Sequence, residues 1–582
     1  MDWAPTFIAL LEGCAGAGPL SEVRRAIASR APDLQPRFDG TGLSLHARAG
    51  DQVAASEDGS LVVVGPIYDK AGARSRLDGP EAAPPTFDAL LADHWGRYVA
   101  FRRRPGTSGW DVLRDPGGGL AAWLVAGSAG LVADELPLWL LDSLHMSVRP
   151  DRRLLANALA MPTMTAHRSL LTNATLLAAG TAASWNGERW SSSRLLWPAL
   201  GRAPAPDADA AAIRKALFTV VRAIAAEGNG AVIELSGGLD SAIVLGALSA
   251  CRPQFPVVAV NLATRQDSGD ERGPARDAAA RAGVELIEIA AREEELDYRL
   301  ALDGPQPAQR IAYGLDSILE RSVAGAAGAF MADAILTGQG GDAVFFQFPS
   351  DKVAIDHMRA TGLASLFSRT ALDVARRARI SLLRLQWNML ADRWRRVRPD
   401  RMPPGMSFLT LEARAAFAPE LGDHPWLAAA SGLPPGKRLQ VFALANCQWF
   451  NSPTARARQA TLIHPLLAQP VVEACLAMPV YRLSHGTQDR ALARTLFADL
   501  IPSSVSRRRA KGEASAYYRR SIVHNLPFLR RHLLDGCLVA AGLLDADALD
   551  AALAEDAMLW RQDARGIVSL ASIESWARHW GV

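Results

Sequence analysis

Two rhythms of apolar and polar positions divide the chain. Over about the first 200 residues, short apolar runs recur at strand length and Gly, Pro, Asp and Ser separate them. They include Leu61–Val64, Tyr98–Phe101, Asp111–Leu113 and Ala121–Val125. The longest apolar run, Leu120–Ala133, is interrupted by Gly127, Ser128 and Gly130, so it predicts two strands around a turn. It is too short to cross a bilayer. The Pro/Ala/Asp stretch Ala203–Ala210 then predicts a linker running into a helix. From Ala211 the rhythm changes to helix Ala211–Ala226, strand Ala231–Leu235, a Gly-rich turn, helix Ile243–Ala250, strand Val257–Leu262, a helix around Glu271–Ala282 and strand Glu285–Ile289. This alternation predicts a parallel, doubly wound α/β sheet. Beyond about Ser350 helical patterns dominate, and no internal repeat is evident.

Length and charge narrow the class. A chain of 582 residues exceeds one hydrophobic core, so at least two domains are expected, at 1–202 and 203–582. A net charge of +3 argues against a dedicated nucleic-acid binder. Cys14, Cys251, Cys447, Cys475 and Cys537 are scattered, with no zinc spacing, which suits a reducing cytoplasm. Cys251, Cys447 and Cys475 read as small core residues. The N-terminus carries Asp2 and Glu12 and no basic segment, a poor signal peptide.

The chemistry concentrates at Ser236-Gly237-Gly238-Leu239-Asp240-Ser241, where a buried strand meets a helix. Unpaired N–H groups at a helix N-terminus attract phosphate, and two glycines let the backbone come close. Ser236 and Ser241 add hydroxyl donors. The Asp240 carboxylate would repel phosphate unless a cation lies between, so Mg2+ is implied. No Gly-Lys-Ser/Thr follows, so this is not a Walker A loop. A plain strand–turn–helix with a capping residue is the alternative.

This hexapeptide resembles the PP-loop of ATP pyrophosphatases, the signature of asparagine synthetases, β-lactam synthetases and lasso-peptide cyclases. Ala334–Asp342 resembles the second glycine-rich segment of asparagine synthetases. The resemblance implies ATP as substrate, Gly338 near the AMP moiety, and Asp342 joining Asp240 on Mg2+. Gln339 falls in the same turn. Asn261 and Leu262 would line the adenine pocket. Asp270 and Glu271 read first as caps of the next helix and second as ligands. Ile501–Gly512 resembles the family stretch whose lysine, here Lys511, stabilises the charge on the adenylate and the leaving pyrophosphate. Arg507–Arg509 reads as a basic surface run.

Gly96–Phe101, Arg114–Gly118 and Leu131–Glu135 are similar to parts of a glutaminase domain, which implies an Ntn-hydrolase-like αββα sandwich ahead of the PP-loop domain. Such glutaminases need a cysteine after the initiator methionine. Position 2 is Asp2, and Cys14 is internal. The expectation is a degenerate domain that releases no ammonia. β-Lactam synthetases carry a tyrosine where this chain has Gln339. Thr337–Phe345, Ile463–Pro470 and Gly486–Arg494 are similar to lasso cyclases. The implied reaction adenylates an Asp or Glu side chain of a linear precursor core peptide, then closes a macrolactam with the peptide's N-terminal amine. Implied partners are the core peptide, a leader peptidase and a leader-binding protein. A small-molecule amide ligase is the alternative, and a non-catalytic scaffold a third reading.

No general base is assigned. Asp373 and Asp392 read as solvated helical acids, and His464 as a packing residue or a substrate contact. The arginine-rich span Arg369–Arg401 reads as one or two basic amphipathic helices. A solvated face is the plain reading, with a membrane or partner surface as the alternative. Trp139, Trp387, Trp394, Trp449, Trp560, Trp576 and Trp580 read as core or pocket wall.

Overall fold

The N-terminal runs are apolar throughout because both faces of their strands are covered. The computed structural model describes residues 3–13, 18–48, 52–77, 86–162, 168–264, 270–312, 315–392, 404–418, 424–508, 515–556 and 564–582. Strand Phe7–Leu11 is buried along its length. Phe7, Ala9 and Leu11 face Val62, Val64, Phe101 and Val112 of a second sheet. Ile8 and Leu10 face the other way, against Val23 and Ile27 of helix Gly18–Arg30. In the second sheet, Leu61 and Val63 pack outward on Phe87, Leu90 and Leu91 of helix Phe87–Asp93. Each sheet has six strands. All their pairings are antiparallel. Leu120–Ala133 forms strands Trp123–Ala126 and Gly130–Ala133 about a turn, as its glycines predict.

After helix α1 (Ala211–Glu227) comes the alternating segment: β1 (Ala231–Glu234), α2 (Leu239–Ala250), β2 (Val257–Thr264), α3 (Arg272–Ala282), β3 (Glu285–Ala291), α4 (Ser317–Ala329), β4 (Ala334–Leu336) and, after a long helical stretch, β5 (Thr461–Ile463). The sheet order is β3-β2-β1-β4-β5. All neighbours are parallel, with Ala231 opposite both Val257 and Ala334. Ile233, Ala259 and Leu336 bury one face against α1 and α2. Val232, Val258, Val260 and Ile335 bury the other against Val323 and Ala327 of α4.

The N-terminal layers and the parallel sheet share cores. Tyr68, Trp95, Trp197 and Leu200 join the main cluster around α1 and α2. Glu135 accepts from the N–H groups of Leu136 and Ala308, at 2.8 and 2.7 Å. Trp576, on the terminal helix Ala564–Trp580, donates to the Ala308 carbonyl at 3.0 Å.

Trp576 and Trp580 are buried, and Trp139 and Trp449 partly so, but Trp387 is 67 % exposed. Trp394, Trp560 and Cys14 lie outside the described residues. Cys475 is buried, while Cys251 and Cys447 are partly buried against the same core. Asp373 is buried rather than solvated, because its helix turns it inward beside Val374.

Arg456 ties the sheet to its cover. Its guanidinium is fully buried and pairs with Glu234 at the end of β1, at 2.6 Å, and with Glu320 of α4. Replacing it by methionine would strand two buried carboxylates. Arg456→Met should destabilise the protein by about 3–5 kcal/mol, read from the urea midpoint.

Candidate active site

In a doubly wound sheet, ligands bind beyond the carboxyl ends of the strands where the strand order reverses. Here that point lies between β1 and β4. The chain leaves β1 towards β2 and β3 and then returns to the opposite side for β4. A cavity of about 400 Å³ opens there, lined by both glycine-rich turns. That is within the usual range for a small-molecule site.

The turn after β1 wraps into the N-terminus of α2. Gly237 has φ +76, and a Cβ there would lie 2.4 Å from the Glu271 carbonyl. Gly238 is the N-cap and has no side chain to accept from the first turn, which leaves those donors directed to the cavity. Gly238 donates its N–H to Ser236 Oγ at 3.3 Å, and the Ser236 and Ser241 hydroxyls stand 3.2 Å apart. The turn after β4 presses against this one. A Cβ on Gly338 would sit 2.4 Å from the Ser241 nitrogen, and one on Gly341 would sit 2.3 Å from the Asp240 carboxyl carbon. Such contacts require glycine at both positions.

This contact brings two acids together. Asp240 and Asp342 both accept from Nη1 of Arg490, at 2.6 and 2.5 Å. Arg490 is itself held by Asp489, at 2.8 Å through Nη2. Asp489 also takes Nη2 of Arg494 at 2.8 Å, and Arg494 reaches the Val505 and Ser506 carbonyls. Burial would raise the Asp489 carboxyl, but the Arg490 and Arg494 guanidiniums outweigh it and hold the group below the usual carboxylate range. Arg508 pairs with Glu271 at 2.9 Å on the same wall.

Behind the second turn, His464 fixes Thr337. Its Nε2 faces the Phe450 carbonyl at 3.1 Å, so Nε2 carries the proton. Nδ1 then accepts from the Thr337 hydroxyl at 2.7 Å. Thr337 in turn accepts the Gln339 N–H at 3.1 Å. Burial pushes the His464 imidazole down to about 4, so it stays neutral.

Comparison with known proteins gives one family. The asparagine synthase family profile matches residues 212–578, more than half of the chain. The chain belongs to the asparagine synthase family. Its coarse activity is therefore ATP-dependent amide-bond formation. No curated protein matches it. Among solved structures it is similar to the U34-tRNA thiolase NcsA from Methanococcus maripaludis with its 4Fe-4S cluster, at 13 % identity over 39 % of this chain and 80 % of that one. The TM-score of 0.18 gives that likeness no weight.

Members of this family use ATP and usually Mg2+. The residues present fit both. Asp240 and Asp342 supply hard oxygens that converge on one cationic nitrogen. Among the described residues no cluster of three or more His, Cys, Asp or Glu could hold a metal. Two carboxylates completed by substrate phosphates is the usual Mg2+ arrangement.

Ser236, Gly237, Gly238, Asp240, Ser241, Gly338, Gln339 and Asp342 all line the cavity of this asparagine synthase family member. Asn261 and Leu262 do not line it. Asn261 is buried and donates to the Leu235 carbonyl at 2.7 Å, tying β2 to β1, and Leu262 packs against the core. Lys511 and Gly512 lie outside the described residues, while Val505 and Arg508, which precede them in sequence, line the cavity. Arg508 is thus a site residue rather than surface, while Arg507 is exposed and Arg509 lies outside the described residues. Asp270 caps α3 by accepting the Arg272 N–H at 3.0 Å. Glu271 makes no side-chain cap and faces the cavity. Sequence reading also missed Glu234, Asp489, Arg490 and Arg494. The one signal for the last three was an acid beside two arginines four positions apart. Asp392 pairs with Arg359 at 2.6 Å and, like Asp373, does not line the cavity.

Two predictions follow from this geometry. Gly341→Ala should lower ATP-dependent pyrophosphate release by about 100-fold, since a shift near 1 Å misplaces the reacting groups, while circular dichroism stays native. His464 has a folded pKa near 4, below the unfolded 6.5, so its stabilisation is complete above pH 6.5 and is lost as pH falls towards 4. His464→Gln should flatten that part of the stability–pH curve, measured by urea unfolding.

Proposed function

We propose that this protein is a lasso-peptide cyclase, an AMP-forming macrolactam synthetase. The observation that carries the reading is the convergence of three distant segments that are similar to lasso cyclases. Thr337–Phe345 supplies Gly338, Gln339 and Asp342 to the cavity, and Gly486–Arg494 supplies Asp489, Arg490 and Arg494. Ile463–Pro470 supplies His464 behind Thr337, and Leu467, whose side chain lies where a Cβ on Gly340 would go, 2.3 Å away.

In this reading the backbone of Ser236–Ser241 and the two serine hydroxyls hold the polyphosphate of ATP. Asp240 and Asp342 hold Mg2+, which when bound offsets the phosphate charge. An Asp or Glu carboxylate of the core peptide attacks the α-phosphorus, forming the acyl-adenylate as pyrophosphate leaves. The peptide's N-terminal amine then attacks the acyl carbon and AMP leaves. By the resemblance, Lys511 stabilises the charge that develops on the leaving groups, and Arg490 in the cavity wall adds a second cation. Ring closure requires a floppy peptide to be ordered in advance, so binding must supply that ordering. Residues 1–202 form a degenerate Ntn-type glutaminase-like domain, and residues 203–582 the PP-loop synthetase domain. A leader peptidase and a leader-binding protein deliver the core peptide in the cytoplasm. The second reading, a small-molecule amide ligase, shares the same ATP chemistry.

The test incubates the full chain with ATP, Mg2+ and a candidate linear core peptide, with the cognate leader peptidase present. The peptide starts with Gly, Ala or Ser and carries Asp or Glu about eight residues on, within reach of a short loop closure. Mass spectrometry should find loss of one water together with AMP, and Asp240→Ala should abolish both. AMP without a cyclised peptide would move the substrate to a small molecule. Neither product would overturn the reading.

A further inference from the structure

One face of the helical stretch between β4 and β5 is unlike the rest of the surface. Six of the twelve exposed large apolar side chains among the described residues fall there: Leu363, Phe367, Leu372, Leu383, Trp387 and Leu390. On helix Leu382–Ala391, Leu385 and Met389 are buried while Leu383, Trp387 and Leu390 are exposed. The last three stand at i, i+4 and i+7, so they form one stripe along the outer side of the helix. A helix apolar on its inner side gains nothing in water from a second apolar stripe.

The sequence of these elements and of the residues just after them is strongly basic. The span Arg369–Arg401 holds ten arginines against three aspartates, a net +7 in a chain whose total is +3, which leaves the remainder at −4. Arg376, Arg379 and Arg384 are exposed and form no ion pair among the described residues. The two helices, Arg369–Ala378 and Leu382–Ala391, pack on each other and on the short helix Leu363–Phe367, so Arg376, Arg379, Arg384 and the apolar side chains belong to one packed unit.

We propose that this unit docks the enzyme on an anionic membrane surface. Bulky side chains flanked by arginines are the composition of helices that lie in the headgroup–acyl boundary. Leu363, Phe367, Leu383 and Trp387 are 65–83 % exposed, so they stand out from the surface rather than line a groove. A lipid layer deforms around such side chains at any spacing, whereas a protein partner must present a matching pocket for each. Arginine heads can reach lipid phosphates while their stems lie along the apolar stripe. The active-site turns lie on the sheet's switch point and share no residue with this face, so the inference does not depend on which amide the enzyme forms.

The experiment mixes the full chain with large unilamellar vesicles, either one-third phosphatidylglycerol in phosphatidylcholine or phosphatidylcholine alone, and measures co-sedimentation and tryptophan emission. The wild type should bind the anionic vesicles and shift its emission to shorter wavelength, and high salt should weaken binding. Arg376→Gln/Arg379→Gln/Arg384→Gln should lower the partition coefficient on the order of 100-fold, from the usual contribution of each basic residue near an anionic surface. Leu383→Ser/Trp387→Ser should also lose binding, and both variants should keep ATP turnover because these residues lie outside the site. Equal binding of wild type and variants would overturn the proposal. So would no preference for the anionic vesicles, or capture by an acidic polypeptide such as polyglutamate with no vesicle binding, which would mark a protein-docking face.

Discussion

The site depends on the close approach of two glycine turns at the switch point of the parallel sheet. β1 and β4 are hydrogen-bonded neighbours although about a hundred residues separate them, so the turns that follow them must share one small volume. Gly338 and Gly341 remove the side chains that would hold the turns apart. Only then can Asp240 and Asp342 reach the same cation. Two carboxylates so close repel each other, and the repulsion must be met by positive charge. The Arg490–Asp489–Arg494 array supplies it from a third segment.

Support for these turns is layered. His464, kept neutral by burial, orients Thr337, and Thr337 orients the backbone of Gln339. Arg456 is fully buried and pairs with Glu234, one residue before Leu235 and the first glycine turn. These groups touch no reacting atom in the proposed chemistry. Their effect is to hold the donors of a flexible glycine backbone in place before substrate arrives, which is the part of catalysis a rigid scaffold can supply. The N-terminal layers supply no residue to the described lining of the site, but they share a core with it. Tyr68, Trp95 and Trp197 pack into the same cluster as α1 and α2.

The sequence by itself determined a great deal of this. Apolar runs bounded by Gly and Asp located β1, β2 and the buried strands of the N-terminal sheets, because burial on both faces leaves a local signature, while the edge strand β3 is largely half-exposed and shows only as Leu and Ile set among acids. Ser236–Ser241 and Gly338–Asp342 were legible as turns because glycines cluster where each strand ends, and both turns line the cavity. What tertiary structure decided was every partnership across distance. Asn261 reads as a pocket residue but ties two strand ends, and Arg508 reads as surface but pairs with Glu271 inside the cavity. Arg490 carries no role of its own within Gly486–Arg494, and Trp387 reads as core or pocket wall. Hydropathy reports how much a side chain favours burial, and short-range spacing reports which helix or strand face it occupies. Neither reports what stands opposite that face, and an ion pair or an exposed stripe is defined only by what does or does not stand there.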